Sequence, residues 1–333
     1  MLLLLCFSSK ENFFILATIL KRFSALMCIN YTSKKYLILA FLLMLVKIST
    51  AQQDPQFSQN IFNNIAVNPG YAGSNDAICA TALHRSQWMG FQGAPATTSL
   101  GVEAAIPMIR GGLGLNVTTD KIAQNEFLSL NLSYSYRIQL SSGNLGLGFS
   151  VGMLQDGIKG GDYIAQVQTD SEIPGEEKGS GFDFGAGLFY KSEKLYLGLS
   201  STHINQPVIE TTTELINMVR HYYLTAGYNY SLNESFVLMP SVFVKNDGRT
   251  TSMDLNAIVE YNNRFWGGVT VRPGDAAIVL AGMHLNESLK FGISYDVPTS
   301  EVSHAGSLEF MLGYCFKIDY SKVVKGFKNP RLL

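Results

Sequence analysis

Residues 125–153 read NEFLSLNLSYSYRIQLSSGNLGLGFSVGM. Leu128, Leu130, Leu132, Tyr134 and Tyr136 occupy every second position, with Ser129, Asn131, Ser133, Ser135 and Arg137 between them. After the polar turn Ser141-Ser142-Gly143-Asn144 the alternation restarts. Leu145, Leu147, Phe149, Val151 and Met153 form one row, and Gly146, Gly148, Ser150 and Gly152 form the other. Successive strand side chains point to opposite faces, so the stretch reads as an antiparallel hairpin. One face is oily and aromatic; the other is small, hydroxylic or charged. Two architectures fit: a soluble sheet with a buried and a wet side, and a transmembrane β-barrel whose oily side meets lipid.

Composition narrows the choice. Only 15% of the 333 residues are charged, against roughly 25% in soluble domains. Tyr (16) and Phe (20) are plentiful, whereas Trp occurs twice. A net charge of −1 leaves no basic footprint for nucleic acid. The four Cys, at 6, 28, 79 and 315, have no C-x-x-C spacing and read as unpaired small hydrophobes.

The start of the chain reads as an address. Lys34-Lys35 precedes an apolar run at 36–46 and the small residues Ser49-Thr50-Ala51, the pattern of a secretory signal peptide. Cleavage is expected after Ala51. A signal peptide normally begins near its basic residues, so translation is expected to start at Met27. Residues 1–51 hold six Lys/Arg and one Glu, which leaves 19 basic and 25 acidic residues, a net charge of −6. No apolar run of helix-spanning length follows residue 51. If the rest of the chain enters a membrane, it does so as a closed barrel.

The remainder divides into an N-terminal capping or lumen segment (52–75), a barrel (76–318) and a C-terminal tail (319–333). Strands are expected at 76–86, 97–107, 111–119, 126–138, 144–156, 182–192, 195–204, 220–231, 235–246, 251–262, 264–272, 276–285, 288–297 and 307–318. The even connections are short: 108–111, 139–143, 191–194, 232–234, 262–263 and 286–287. Every long one is odd: 86–96, 157–181, 204–219 and 297–306. Outer-membrane barrels sort their loops this way, with tight periplasmic turns and long outer loops; a soluble sandwich has no reason to. The expected fold is therefore an all-β, transmembrane, antiparallel up-and-down barrel of fourteen strands. Inner-face glycines would let strands curve or leave room for a segment to fold inward. The acidic loop 162–178 reads as solvated. The tail, basic at Lys322, Lys325, Lys328 and Arg331, reads as periplasmic, either docking an acidic partner or staying unstructured.

Chemistry is sparse. Gly148-Phe149-Ser150-Val151-Gly152 matches G-x-S-x-G, but a nucleophile elbow needs a strand-to-helix turn, and this Ser lies mid-strand. His84, His203, His221, His284 and His304 fall near strand ends or loops and read as polar rim residues. No P-loop, dinucleotide fingerprint or metal-ligand spacing occurs, so no catalytic residue, cofactor or metal is expected. Two stretches look specific. Arg85-Ser86-Gln87-Trp88-Met89-Gly90-Phe91-Gln92-Gly93-Ala94-Pro95 spends one of the two Trp, three Gly and a Pro in one loop. Asn205-Gln206-Pro207 is followed by Arg220-His221-Tyr222-Tyr223-Leu224-Thr225-Ala226-Gly227-Tyr228.

With Asp54-Pro55-Gln56-Phe57-Ser58-Gln59, Asn68-Pro69-Gly70-Tyr71-Ala72-Gly73 and Asn329-Pro330-Arg331, these stretches resemble the PorP/SprF family of type IX secretion and gliding-motility outer-membrane proteins. The resemblance covers the chain from residue 52 onward; the 26 residues before Met27 depart from it. It implies a non-enzymatic outer-membrane barrel that contacts lipid and works with type IX secretion components, or holds a secreted adhesin by its C-terminal domain. A passive channel for small or apolar solutes is the alternative. The partner-binding or structural motif residues are Arg85, Gln87, Trp88, Gly90, Phe91, Gly93, Pro95, Asn205, Pro207, Arg220, Tyr222 and Tyr223.

Overall fold

The computed structural model describes residues 54–158, 176–212, 215–299 and 305–316. The stretch expected to be a signal peptide, the expected start at Met27, most of the acidic loop and the basic tail lie outside the described residues. Among those described, no helix is long and apolar enough to cross a membrane, and the crossing is done by strands.

Fourteen antiparallel strands close into a barrel. They are β1 Ile78–Ser86, β2 Ala96–Ile106, β3 Gly111–Ile122, β4 Asn125–Leu140, β5 Gly143–Ile158, β6 Glu177–Lys191 and β7 Leu195–Thr202. The second half is β8 His221–Tyr228 (continued by Tyr230–Ser231), β9 Phe236–Asn246, β10 Thr251–Tyr261, β11 Phe265–Arg272, β12 Ala276–His284, β13 Leu289–Pro298 and β14 Ser307–Phe316. Each strand pairs with its sequence neighbours, and β1 pairs with β14 from Ile78↔Phe316 to Ser86↔Leu308.

The alternation becomes two surfaces. Across β4 and β5, Leu130↔Met153, Leu132↔Val151, Tyr134↔Phe149 and Tyr136↔Leu147 stand opposite one another and face outward; Leu132 is 59% and Phe149 50% exposed. The alternate row, including Ser129, Ser133, Ser135 and Ser150, is buried inside. Side chains this apolar exposed in such number form a lipid-facing band. Loop parity holds: connections at 87–95, 159–176, 203–220 and 299–306 leave one rim, and every turn at the other is short.

The cysteine expectation is corrected. Cys79 and Cys315 form a disulfide, with Cα atoms 4.1 Å apart and a sequence separation of 236. They stand opposite each other on β1 and β14, so the bond crosses the seam where the barrel closes. Spacing along the chain carries no trace of this, because only closure brings the first and last strands together. Cys6 and Cys28 lie outside the described residues.

Residues 54–75 pass through the interior. Three short 3-10 turns, Asn60–Phe62, Asn64–Ala66 and Pro69–Tyr71, shape them. Asn68 caps the last, its Oδ1 accepting from Gly70 N–H at 2.9 Å, with Pro69 at the first helical position. Phe57, Ile61 and Phe62 pack against an apolar inner patch of Leu83, Ile258, Trp266, Ile278, Leu280 and Met311. Phe62 and Trp266 have ring centroids 4.8 Å apart.

Glycines admit the segment's backbone to the wall. A Cβ built on Gly148 would fall onto the Pro69–Gly70 peptide, and one on Gly112 onto Ala72. Gly148→Val is therefore expected to expel this part of the segment, and the overpacking costs about 1–3 kcal/mol. Limited proteolysis checks it: residues 54–75 should be cut faster than in wild type while the barrel fragment stays intact. Equal cleavage would refute the close approach.

Candidate functional site

The interior polar groups gather where the segment touches the wall. Arg85, on the inner row of β1, reaches Asp296 Oδ2 at 2.7 Å and Glu309 Oε2 at 3.4 Å. It also donates to Ser58 Oγ at 2.8 Å. Glu309 accepts from the backbone N–H groups of Ser58 and Gln59, both at 2.8 Å. Beside this, the Arg272 guanidinium forks onto Asp254 through Nε at 2.6 Å and Nη2 at 2.9 Å, and Asn60 Nδ2 donates to Asp254 Oδ2 at 2.7 Å. The buried carboxylates thus hold the segment and are held by arginines, as charges removed from water require.

A second cluster lies beneath the long-loop rim. His203, in the loop just after β7, sits between two carboxylates: Nε2 is 2.9 Å from Asp54 Oδ1 and Nδ1 is 3.0 Å from Asp183 Oδ1. Tyr223 donates to Asp54 Oδ2 at 2.6 Å. His221 Nδ1 lies 3.0 Å from the Val219 carbonyl. Lys245 Nζ donates to the Asp54 backbone carbonyl at 2.8 Å. Burial opposes ionisation of Asp54, yet the adjoining imidazoles, with hydrogen bonds from His203 and Tyr223, overcome it and hold the carboxyl far below its ordinary range. Burial would likewise lower the His203 pKa, but Asp54 and Asp183 push it up to about 10.

At the short-turn end, Glu103 accepts from Gly73 N–H at 2.6 Å, and Lys191 Nζ donates to Asn75 Oδ1 at 2.6 Å. Arg137 pairs with Asp76. Burial, reinforced by the Glu103 carboxylate, raises the Tyr71 phenol well above its usual range. Cavities of about 60 and 210 Å³ lie under the long-loop rim. Others of about 180 and 690 Å³ lie toward the short turns. The two sets share no lining residue.

A sequence model of the type IX secretion system membrane protein PorP/SprF matches residues 49–314. The chain belongs to the PorP/SprF family. It is an outer-membrane protein, and its long loops are those that such barrels turn outward. No curated protein sequence matches it. Among solved structures it is similar to the toluene transporter TbuX of Ralstonia pickettii (12% identity, 75% of this chain and 92% of that one, TM-score 0.45). It is also similar to a Pseudomonas aeruginosa FadL homologue (10% identity, 79% and 95%, TM-score 0.44). A third is the translocator domain of the autotransporter NalP from Neisseria meningitidis (14% identity, 72% and 88%, TM-score 0.39).

In this PorP/SprF protein the residues singled out from the sequence separate into three groups. Arg85 and Tyr223 are buried and hold the segment. Gln87, Gly90, Gly93 and Pro95 shape the first outer loop: Gln87 N–H donates to the Pro95 carbonyl at 2.9 Å, and Gly90 and Gly93 take positive φ of 87° and 76°. That loop is braced by Met89 N–H on Gly306 O at 2.8 Å and Ala123 N–H on Gly93 O at 2.9 Å, and it leaves Trp88 39% and Phe91 58% exposed. Asn205, Pro207 and Arg220 build the 203–220 loop. Asn205 bridges to the backbone of β6 at Phe182 and Phe184, Pro207 O accepts from Met218 N–H at 3.0 Å, and Arg220 donates to Ile204 O. Between them a small hairpin, Val208–Glu210 with Leu215–Asn217, packs Ile209 against Leu154 inside the mouth. Tyr222 belongs with none of these and faces outward.

Sequence reasoning missed Asp54, Asp183, His203, His221, Asp254, Arg272, Asp296 and Glu309. Asp54 lies 149 residues from His203 and 167 from His221, beyond the reach of any spacing rule. The available signal was their position: Asp54 opens one motif stretch, His221 lies within another, and His203 stands just before Asn205.

Proposed function

We propose that this barrel is a non-enzymatic part of the type IX machinery. It binds another protein, a secretion component or the C-terminal domain of a secreted adhesin, through its outer-rim loops. The observation that carries this reading is the division of labour inside and above the barrel. The lumen is occupied by a segment pinned by buried ion pairs, which disfavours passage of solutes. The 87–95 loop is braced to its neighbours yet presents Trp88 and Phe91 to solvent. A rigid loop holding exposed aromatics is the usual form of an interface anchor. Ser150 supports the non-enzymatic part of the reading: it lies mid-strand in β5 opposite Ser133 and Gly185, where G-x-S-x-G is ordinary strand alternation.

Purification of the tagged protein from native outer membranes, followed by mass spectrometry, tests the proposal. A specific secretion component or adhesin should co-purify with wild type. Trp88→Ala with Phe91→Ala should reduce it at least tenfold, since truncating an interface anchor typically costs about 2 kcal/mol or more. Retention of the same partner by the double variant would place the interface elsewhere. In planar bilayers the wild-type barrel should conduct ions weakly; large steady conductance would favour the passive channel.

A further inference from the structure

The Asp54 cluster contains more than a latch needs. Asp54, His203 and His221 each offer a metal-ligating atom, and these atoms all lie within 4.8 Å of one another. Two imidazoles and one carboxylate suit zinc and its first-row neighbours better than calcium or magnesium, which prefer oxygen alone.

The surroundings of the three residues carry the argument further. In metal sites a ligating histidine donates its other ring N–H to a carboxylate or backbone carbonyl, which fixes the ring and its tautomer. Both rings have such an acceptor at Nδ1: Asp183 for His203, at 3.0 Å, and the Val219 carbonyl for His221, at 3.0 Å. On His203 this leaves Nε2 facing the Asp54 carboxylate at 2.9 Å. On His221, Nδ1 lies 3.8 Å from Asp54 Oδ2, and Nε2 meets a long 3.4 Å contact from Asp54 N–H. The carboxylate is arranged alike, with Tyr223 on Oδ2 and Oδ1 turned to His203. Lys245 is engaged with the Asp54 backbone carbonyl and leaves both carboxylate oxygens alone.

One detail is left unsatisfied by a plain ion pair. Nδ1 of His203 and Oδ1 of Asp183 are buried and close, yet neither has an aligned hydrogen-bond partner. The adjoining cavity of about 60 Å³, lined by Asp54, Asp183, His203 and Tyr223 among others, has room for water as a fourth ligand.

We propose that Asp54, His203 and His221 bind one first-row divalent metal ion, zinc by their donor set, which ties the N-terminal segment to the barrel wall beneath the 203–220 loop. Asp183 and Val219 are positioning groups. Ligation requires each imidazole to be neutral at its ligating nitrogen.

Detergent-purified barrel, stripped with EDTA and titrated with ZnCl2, tests this by calorimetry and by elemental analysis after removal of excess metal. The expected result is about one zinc per chain, with His203→Ala and His221→Ala each weakening binding at least tenfold. Asp183→Asn keeps all three ligands and should weaken it about 10–100-fold. Asp54→Ala alters the segment alone, so it reports even if a wall variant fails to fold. Bound zinc should also slow proteolysis of residues 54–75. Less than a tenth of a zinc per chain would overturn the proposal. So would zinc uptake unchanged in Asp54→Ala and the histidine variants, which would mark adventitious surface binding.

Discussion

Replacing Cys79 and Cys315 with Ser is expected to destabilise the barrel by about 5 kcal/mol, the chain-entropy value for so long a closed loop. The bond closes a span of 236 residues, so the unfolded chain gains much freedom when it is lost. The folded barrel changes little by comparison. Nine residue pairs still join β1 to β14, from Ile78↔Phe316 to Ser86↔Leu308, and the seam stays hydrogen-bonded. The double variant should therefore keep its strand content and the heat-dependent electrophoretic shift of a folded barrel, while its urea midpoint falls. Reducing the wild type should lower the midpoint equally. Equal midpoints for wild type in oxidising and reducing buffer would show that the seam is held by strand pairing alone.

Arg85→Ala is expected to cost about 3–5 kcal/mol, the usual penalty for removing one member of a buried ion pair. Its side chain is 5% exposed, those of Asp296 and Glu309 only 3% and 0%. Without the guanidinium two carboxylates remain out of water with one cation nearby, Arg272, 3.7 Å from Asp296. That neighbour sets the loss nearer the lower end. Ser58 also loses its donor, so the damage should reach the segment. Proteolysis of residues 54–75 should accelerate and ion conductance should rise above wild type. Arg85→Lys should recover little, because one ammonium cannot reproduce a fork that spans Asp296, Glu309 and Ser58. An unfolding free energy within 1 kcal/mol of wild type in Arg85→Ala, with an unchanged proteolysis rate, would show that Arg272 already neutralises the site.

Much of the architecture is legible in the sequence. A period of two is a local property, since each residue turns its side chain opposite to the last. Leu130, Leu132 and Tyr134 therefore declared their common face without reference to any other strand. Loop lengths are likewise written along the chain, and their sorting by parity decided for a closed wall over a sandwich. The paired strands Gly143–Ile158 and Glu177–Lys191 run past the expected ends at 156 and 182, because Gly157, Lys178 and Gly179 look like loop residues until strand pairing carries them above the rest of the wall.

The interior was much less legible. Arg85 and Tyr223 were picked out by motif, yet motif membership did not distinguish them from Tyr222, which faces outward. Inner-row polarity announced that the barrel would be wet or filled. Which of the two depended on whether the glycines at 112, 146 and 148 met a backbone, and they do.

Local alternation, turn composition and loop parity were settled by the chain alone, because each is a relation between residues a few positions apart. Closure decided the rest. Only when β1 meets β14 do Cys79 and Cys315 become neighbours, and only with the segment inside the tube do Asp54, His203 and His221 share one small volume. Such contacts join residues separated by most of the chain, and no pattern along a sequence encodes a distance measured across the middle of a barrel.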